Sequence, residues 1–214
     1  MGAQIKDELT KKRWPGPEDV YNIILAGVGG QGILFAARVL GTAALMKGYD
    51  VKVSEVHGMA QRGGSVVSYV RFGRKVYAPV VEKGRCDLLV AFEELEGLRW
   101  LDHLCTGGRV ILNRQRIDPM PVISGKAEYP KEIPAIIRRR AGSVELVDAL
   151  TIAGECGSLR TVNTVLLGLT ARFLPVEEEI WLETLAEVAP ARMLDVNRQA
   201  FIRGYRYTQP SGQA

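Results

Sequence analysis

Two short stretches hold nearly all the residues whose type and spacing could do chemistry. The first is Gly27-Val28-Gly29-Gly30-Gln31-Gly32, a G-x-G-x-x-G run. It follows an apolar run, Tyr21–Ala26, and precedes a segment with helical spacing. In that setting the first glycine permits a tight turn, the second lets another group approach the backbone, and the third lets helix and strand pack closely. The N–H groups at the start of the helix can hold an anion. A carboxylate about 20 residues further on would complete a dinucleotide fingerprint, and Glu55 lies there. The other reading is that the glycines form only the tight first turn of a Rossmann-like fold.

The second stretch is Ser54-Glu55-Val56-His57-Gly58-Met59-Ala60-Gln61-Arg62-Gly63-Gly64. Arg62 can grip a phosphate or carboxylate through two parallel hydrogen bonds. His57 can serve as acid or base, but no nucleophile stands beside it, so a structural loop is its favoured reading. For Gln61-Arg62-Gly63-Gly64 a binding or interface role is favoured, because paired glycines beside an arginine suit a backbone that something approaches closely. Ligands in open α/β sheets sit outside the carboxyl ends of the strands, where this loop and the glycine turn should meet. The candidate binding residues are therefore Gly27, Gly29, Gly30, Gln31, Gly32, Gln61, Arg62, Gly63 and Gly64, and no catalytic or metal-ligating residue is assigned.

Other signals read as structural. His103 falls late in a helix, and Arg138–Arg140 form the basic end of another, suited to the helix dipole. Asn163 and Asn197 lie on C-terminal helices, where an asparagine on an apolar side makes a structural hydrogen bond. The sequence contains no G-x-x-x-x-G-K-[ST], H-E-x-x-H or G-x-S-x-G, so the phosphate-loop, zinc-protease and hydrolase chemistries they carry are not indicated.

The elements that must position these residues read as follows. Tyr21–Ala26 is a buried strand, and Ile33, Ala36, Ala37, Leu40, Ala43 and Ala44 give a helix that Gly48 ends. Val51–Glu55 is a second strand, and a βαβ unit of this length makes a right-handed parallel crossover. Residues 56–64 form a loop, and Ser65–Phe72 a strand paired as a hairpin with Lys75–Ala78. Cys86–Phe92, a helix over Glu93–Cys105 and Arg109–Asn113 make a second βαβ unit. A strand or loop spans 114–129, Lys131–Ala141 is a helix, and Val144–Asp148 is the last strand. Asn163–Leu174, Val176–Val188 and Ala191–Tyr205 are helices separated by Pro175 and Pro190. The fold class is α/β: a Rossmann-like, mostly parallel sheet with flanking helices, a hairpin and a helical C-terminal end.

Composition bounds the rest. The chain has 214 residues, 47% hydrophobic and 24% charged, enough to bury a core without staples. A net charge of +4 is too mild and dispersed for a nucleic-acid footprint. Three cysteines, Cys86, Cys105 and Cys156, match no zinc or iron–sulfur spacing, and their sparse, odd number suits reduced thiols in a cytoplasm. Met1–Val20 has no apolar core of a secretory signal, and no run is long enough to span a membrane. A soluble, cytoplasmic protein is expected.

Taken together, Tyr21–Ile33 and Glu55–Val66 closely resemble the gamma-type subunit of 2-oxoacid:ferredoxin oxidoreductases. Met-Ala-Gln-Arg-Gly-Gly is most similar to the beta subunit of the indolepyruvate type. The resemblance covers about residues 21–205, including Asn163-x-x-x-Leu-Leu-Gly and Asn197-x-x-Ala-Phe. Residues 1–20, with Lys11–Arg13, Pro15 and Pro17, read as an N-terminal arm outside the resemblance, followed by a gamma-type domain at 21–208 and a tail at 209–214. The resemblance implies a hetero-oligomer that converts an aryl 2-oxoacid to an acyl-coenzyme A and reduces ferredoxin. Thiamine diphosphate and iron–sulfur clusters would reside in a larger alpha subunit, and this chain would be inactive alone. Coenzyme A would be contacted through the Gly27–Gly32 turn and the Gln61–Gly64 loop. The resemblance lowers the nicotinamide reading and makes Glu55 a loop-anchoring or interface carboxylate. A stand-alone NAD-binding oxidoreductase and a non-enzymatic nucleotide-binding or scaffold module remain the rivals.

Overall fold

The computed structural model describes residues 15–16, 19–57 and 63–208. Most of the expected arm, the tail at 209–214, and Gln61 and Arg62 lie outside the described residues.

The strands are β1 (Tyr21–Val28), β2 (Asp50–His57), β3 (Ser65–Gly73), β4 (Cys86–Ala91), β5 (Leu104–Asn113) and β6 (Ser143–Val147). They form one sheet in the order β2-β3-β1-β4-β5-β6. β1, β4, β5 and β6 pair in parallel, whereas β3 runs antiparallel to both β1 and β2. The helices are α1 (Ile33–Met46), α2 (Glu94–Trp100), α3 (Met120–Ile123), α4 (Ile133–Arg140), α5 (Ala149–Glu155), α6 (Val162–Ala171), α7 (Glu178–Val188) and α8 (Leu194–Tyr205).

β1 is buried along its whole length, which its unbroken apolar run requires of a central strand covered on both faces. Ile23 and Leu25 point into a core shared with α1, α6, α7 and α8. Ile24 and Ala26 point into the opposite core, with Leu95 of α2 and Ile133 and Ile137 of α4. Successive residues alternate faces, so one strand nucleates both layers.

Several elements differ from the sequence expectation. β2 has the direction of β1, as a crossover predicts, but β3 is inserted between them. The antiparallel hairpin is β2 with β3, from Asp50↔Gly73 to His57↔Val66; Lys75–Ala78 is not a strand. Side chains capture that segment instead. Asp50 Oδ2 accepts from Val76 N–H at 3.0 Å, and Arg71 donates to the carbonyls of Ala78 and Val80. The helix expected over Glu93–Cys105 stops at Trp100; Leu101–His103 form a single 3-10 turn, and Leu104 already pairs with Cys86 in the sheet. The stretch 114–129, expected as strand or loop, contains α3. α5 occupies residues for which the sequence predicts no element; Asp148 caps it by accepting from Thr151 N–H at 3.0 Å.

Candidate functional site

The glycine turn joins β1 to α1. Gln31 N–H donates to the Val28 carbonyl at 3.1 Å, closing a tight turn. Gly30 and Gly32 have φ of 103° and 79°, values that L side chains adopt only under strain. Gly32 is the residue before α1, and its carbonyl accepts the first helical bond, from Ala36 N–H. A side chain at Gly32 would also meet Asn163 Nδ2 at 2.4 Å. The first-turn N–H groups of α1 have no partner within the helix.

The structure brings the two sequence stretches together. Gly29 N–H donates to the Gly64 carbonyl at 2.8 Å, and Gly63 N–H to the Gly29 carbonyl at 3.5 Å. These bonds extend the β1–β3 ladder past its last strand pair, Val28↔Ser65. Ser65 then donates its hydroxyl to Glu96 Oε2 at 2.6 Å, and Glu96 pairs with Arg99. Glu96 is 2% exposed, so the start of β3 is tied to a buried carboxylate of α2. The neighbouring Glu93 is equally buried and accepts from Tyr129 Oη at 2.6 Å and Ile117 N–H at 3.1 Å. Burial first, and the Glu93 hydrogen bond second, raise the Tyr129 hydroxyl far above its ordinary value. Neither glutamate was singled out from the sequence, and only the acidic cluster Glu93-Glu94-x-Glu96 hints at them.

The Gln31 side chain is turned into the sheet end. The chain turns one way after β1 and the other way after β4, so the crevice between these adjacent strands is the switch point where such folds take ligands. The Gln31 side chain fills it. Its Oε1 accepts from Val28 N–H at 2.7 Å, and its Nε2 donates to the Phe92 carbonyl and to Gln115 Oε1, each at 3.0 Å. Asn113 Nδ2 also donates to the Phe92 carbonyl, and Asn113 Oδ1 accepts from Ala149 N–H. Gly27 makes room for this arrangement, since a side chain there would meet Gln31 Oε1 at 2.6 Å and Phe92 Cβ at 2.7 Å.

The open space lies on the other side of the turn. A cavity of about 520 Å³ is lined by Val28, Gly29, Gly30, Gly32, Ile33, Leu34, Phe35 and Val66. Leu34 and Phe35 are also walls of a groove of about 560 Å³ that runs between α1 and β2, past Arg38, Leu45, Val53 and Glu55. Polar backbone thus meets apolar side chains, a combination suited to a ligand with an anionic group and a less polar chain. Glu55 is exposed on β2, one strand further from β1 than a nucleotide-binding acid on an adjacent strand, a displacement of about 4.8 Å. The backbone of His57 ends β2. The filled switch point and the displaced Glu55 do not favour the nicotinamide reading.

Elsewhere, the His103 ring packs against Trp100 in a tilted arrangement, 4.7 Å between centroids, and burial, with Lys83 second, lowers its basicity. Cys86, Cys105 and Cys156 are buried and form no disulfide, and burial pushes the Cys86 thiol well up. Among the described residues, no group of three His, Cys, Asp or Glu side chains is placed to hold a metal ion. No helix among the described residues is long and apolar enough to cross a membrane.

Comparison with known proteins supplies the family. Indolepyruvate oxidoreductase subunit IorB of Thermococcus kodakarensis is 44% identical over 87% of this chain and 95% of its own. The subunit of that name from Methanothermobacter thermautotrophicus is 40% identical over 86% of this chain and 96% of its own. The fold is shared with pyruvate oxidoreductase subunit PORC of Thermotoga maritima, at a TM-score of 0.66 and 24% identity, covering 89% of this chain and 97% of that one. Residues 22–207 match the family model described as pyruvate ferredoxin/flavodoxin oxidoreductase, and the chain belongs to that family.

Proposed function

We propose that this chain is the smaller subunit of an arylpyruvate:ferredoxin oxidoreductase, non-autonomous, and that it completes an active-site assembly on a larger subunit. The observation that carries this reading is the half-built site. The cavity beside Gly27–Gly32 has a polar floor and apolar walls, but it opens onto a groove whose lining residues Leu34, Leu45 and Val53 are exposed. Apolar surface of this kind, continuous with a binding cavity, suits coverage by another chain. The names of the relatives support indolepyruvate as the model substrate.

In this reading, Gly29, Gly30 and Gly32, with Gln61, Arg62, Gly63 and Gly64, contact coenzyme A. Gly27 and Gln31 hold the turn in shape. Thiamine diphosphate and the iron–sulfur clusters belong to the larger chain. Coenzyme A would be the acyl acceptor, and ferredoxin the electron acceptor of the complex. The test is reconstitution: indolepyruvate-dependent ferredoxin reduction, with coenzyme A varied, should require both chains. Full activity of either chain alone would reject the proposal.

A further inference from the structure

The glycine turn is braced from a distance by a buried polar chain. Asn163 Nδ2 donates to the Gly32 carbonyl at 3.2 Å. Its Oδ1 accepts from Thr164 N–H at 2.9 Å, which fixes which end of the amide faces the turn. Thr164 Oγ1 lies 2.6 Å from Asn197 Oδ1, and Asn197 Nδ2 donates to the Met193 carbonyl at 2.8 Å. Asn163, Thr164 and Asn197 are 7%, 0% and 6% exposed. The chain therefore runs from the turn, across the first turn of α6, to the start of α8.

Burying three polar side chains is costly unless each is satisfied. Apolar residues would pack α6 against α8 without that cost, because these helices already meet at Gly168 and Gly204. A side chain at Gly168 would overlap the Phe201 carbonyl, and one at Gly204 the Val165 carbonyl. A fully satisfied buried network rigidifies what it joins. What this one joins is the Gly32 peptide, whose carbonyl must turn into α1 for the neighbouring N–H groups to face the cavity.

We infer that Asn163, Thr164 and Asn197 are positioning residues: they hold the Gly32 peptide so that the start of α1 presents its N–H groups to an anionic ligand. The inference rests on the proposed reading of this turn as a coenzyme A contact. It assigns control of that contact to α8, a helix on which no candidate binding residue lies.

The test uses Thr164→Val, which keeps the side-chain shape and removes the hydroxyl, and Thr164→Ser, which restores the hydroxyl. Two readouts are taken: amide hydrogen exchange in the full chain of Gln31 and Ala36, whose N–H groups are bonded to the Val28 and Gly32 carbonyls, and steady-state kinetics of the reconstituted complex with coenzyme A and oxoacid varied separately. Losing one buried hydrogen bond corresponds to about a five- to tenfold change. Thr164→Val is expected to speed exchange at these amides and raise the KM for coenzyme A by that factor. The KM for oxoacid and kcat should stay unchanged, and Thr164→Ser should restore both readouts. Unchanged exchange in Thr164→Val overturns the positioning role. Faster exchange with an unchanged coenzyme A KM overturns the link to the ligand, and counts against the coenzyme A reading of the turn. A uniform loss of kcat and melting temperature that Thr164→Ser does not repair makes the residue merely structural.

Discussion

Replacing Gln31 is the most informative single perturbation of the turn. Its side chain makes three hydrogen bonds, to Val28 N–H, the Phe92 carbonyl and Gln115 Oε1. A neutral hydrogen bond contributes about 1 kcal/mol net. The Phe92 carbonyl keeps its bond from Asn113, and the site is only half-buried, so water can replace part of what is lost. Gln31→Ala should therefore cost about 2–3 kcal/mol, which in a chain of this size lowers the melting temperature by about 4–12 °C. Gln31→Glu sharpens the test. It keeps the acceptor for Val28 N–H but turns a carboxylate oxygen toward two acceptors. Those acceptors favour the protonated form, so the introduced carboxyl should have a raised folded-state pKa. A raised pKa means the variant is closest to wild type below the unfolded value, about 4.3, and loses ground as pH rises through the folded value. Thermal melts of wild type and both variants from pH 4 to 8 measure this. A drop below about 1 °C for Gln31→Ala, or a Gln31→Glu deficit that does not grow with pH, would refute the filled-crevice account.

Other expectations follow from the same geometry. Leu45, 57% exposed on the groove wall, should tolerate Leu45→Asp in the isolated chain with a melting temperature near wild type, while the variant fails to co-purify with the larger subunit. Asp50 has its carboxyl lowered from 3.8 to about 2, first by the Val76 N–H hydrogen bond and then by Lys52. A depressed pKa contributes stability above the unfolded value that is lost as pH falls. Acid titration should thus show a wild-type advantage over Asp50→Asn that fades between about pH 4 and pH 2. At the α6–α8 crossing, Gly204→Ala forces a methyl into the Val165 carbonyl. It should cost about 3 kcal/mol, visible as a lower midpoint in urea.

The strand, turn and helix over Tyr21–Met46 were legible because three local signals agree: an unbroken apolar run, glycines at fixed offsets, and helical spacing from Ile33. Strand order was not. The sequence of β3 does not say that it inserts between β1 and β2, because pairing partners are chosen by the sheet rather than by periodicity. The misplaced hairpin has a similar cause, since Asp50 and Arg71 take backbone groups of 75–80 that a ladder would have used. At the site, the meeting of Gly29 with Gly63 and Gly64 was readable from strand-end logic. The work of Gln31 was not, because its partners Phe92 and Gln115 lie 61 and 84 residues away. Asn163 was rightly expected to make a structural hydrogen bond, but its acceptor, Gly32, is 131 residues distant.

The central claim is that this chain completes a site it cannot use by itself. Coenzyme A-dependent reduction of ferredoxin by indolepyruvate, measured for this chain, for the larger subunit and for the two mixed, tests it directly. Turnover is expected only in the mixture. Turnover by this chain alone, or by the larger subunit at the rate of the mixture, would contradict it.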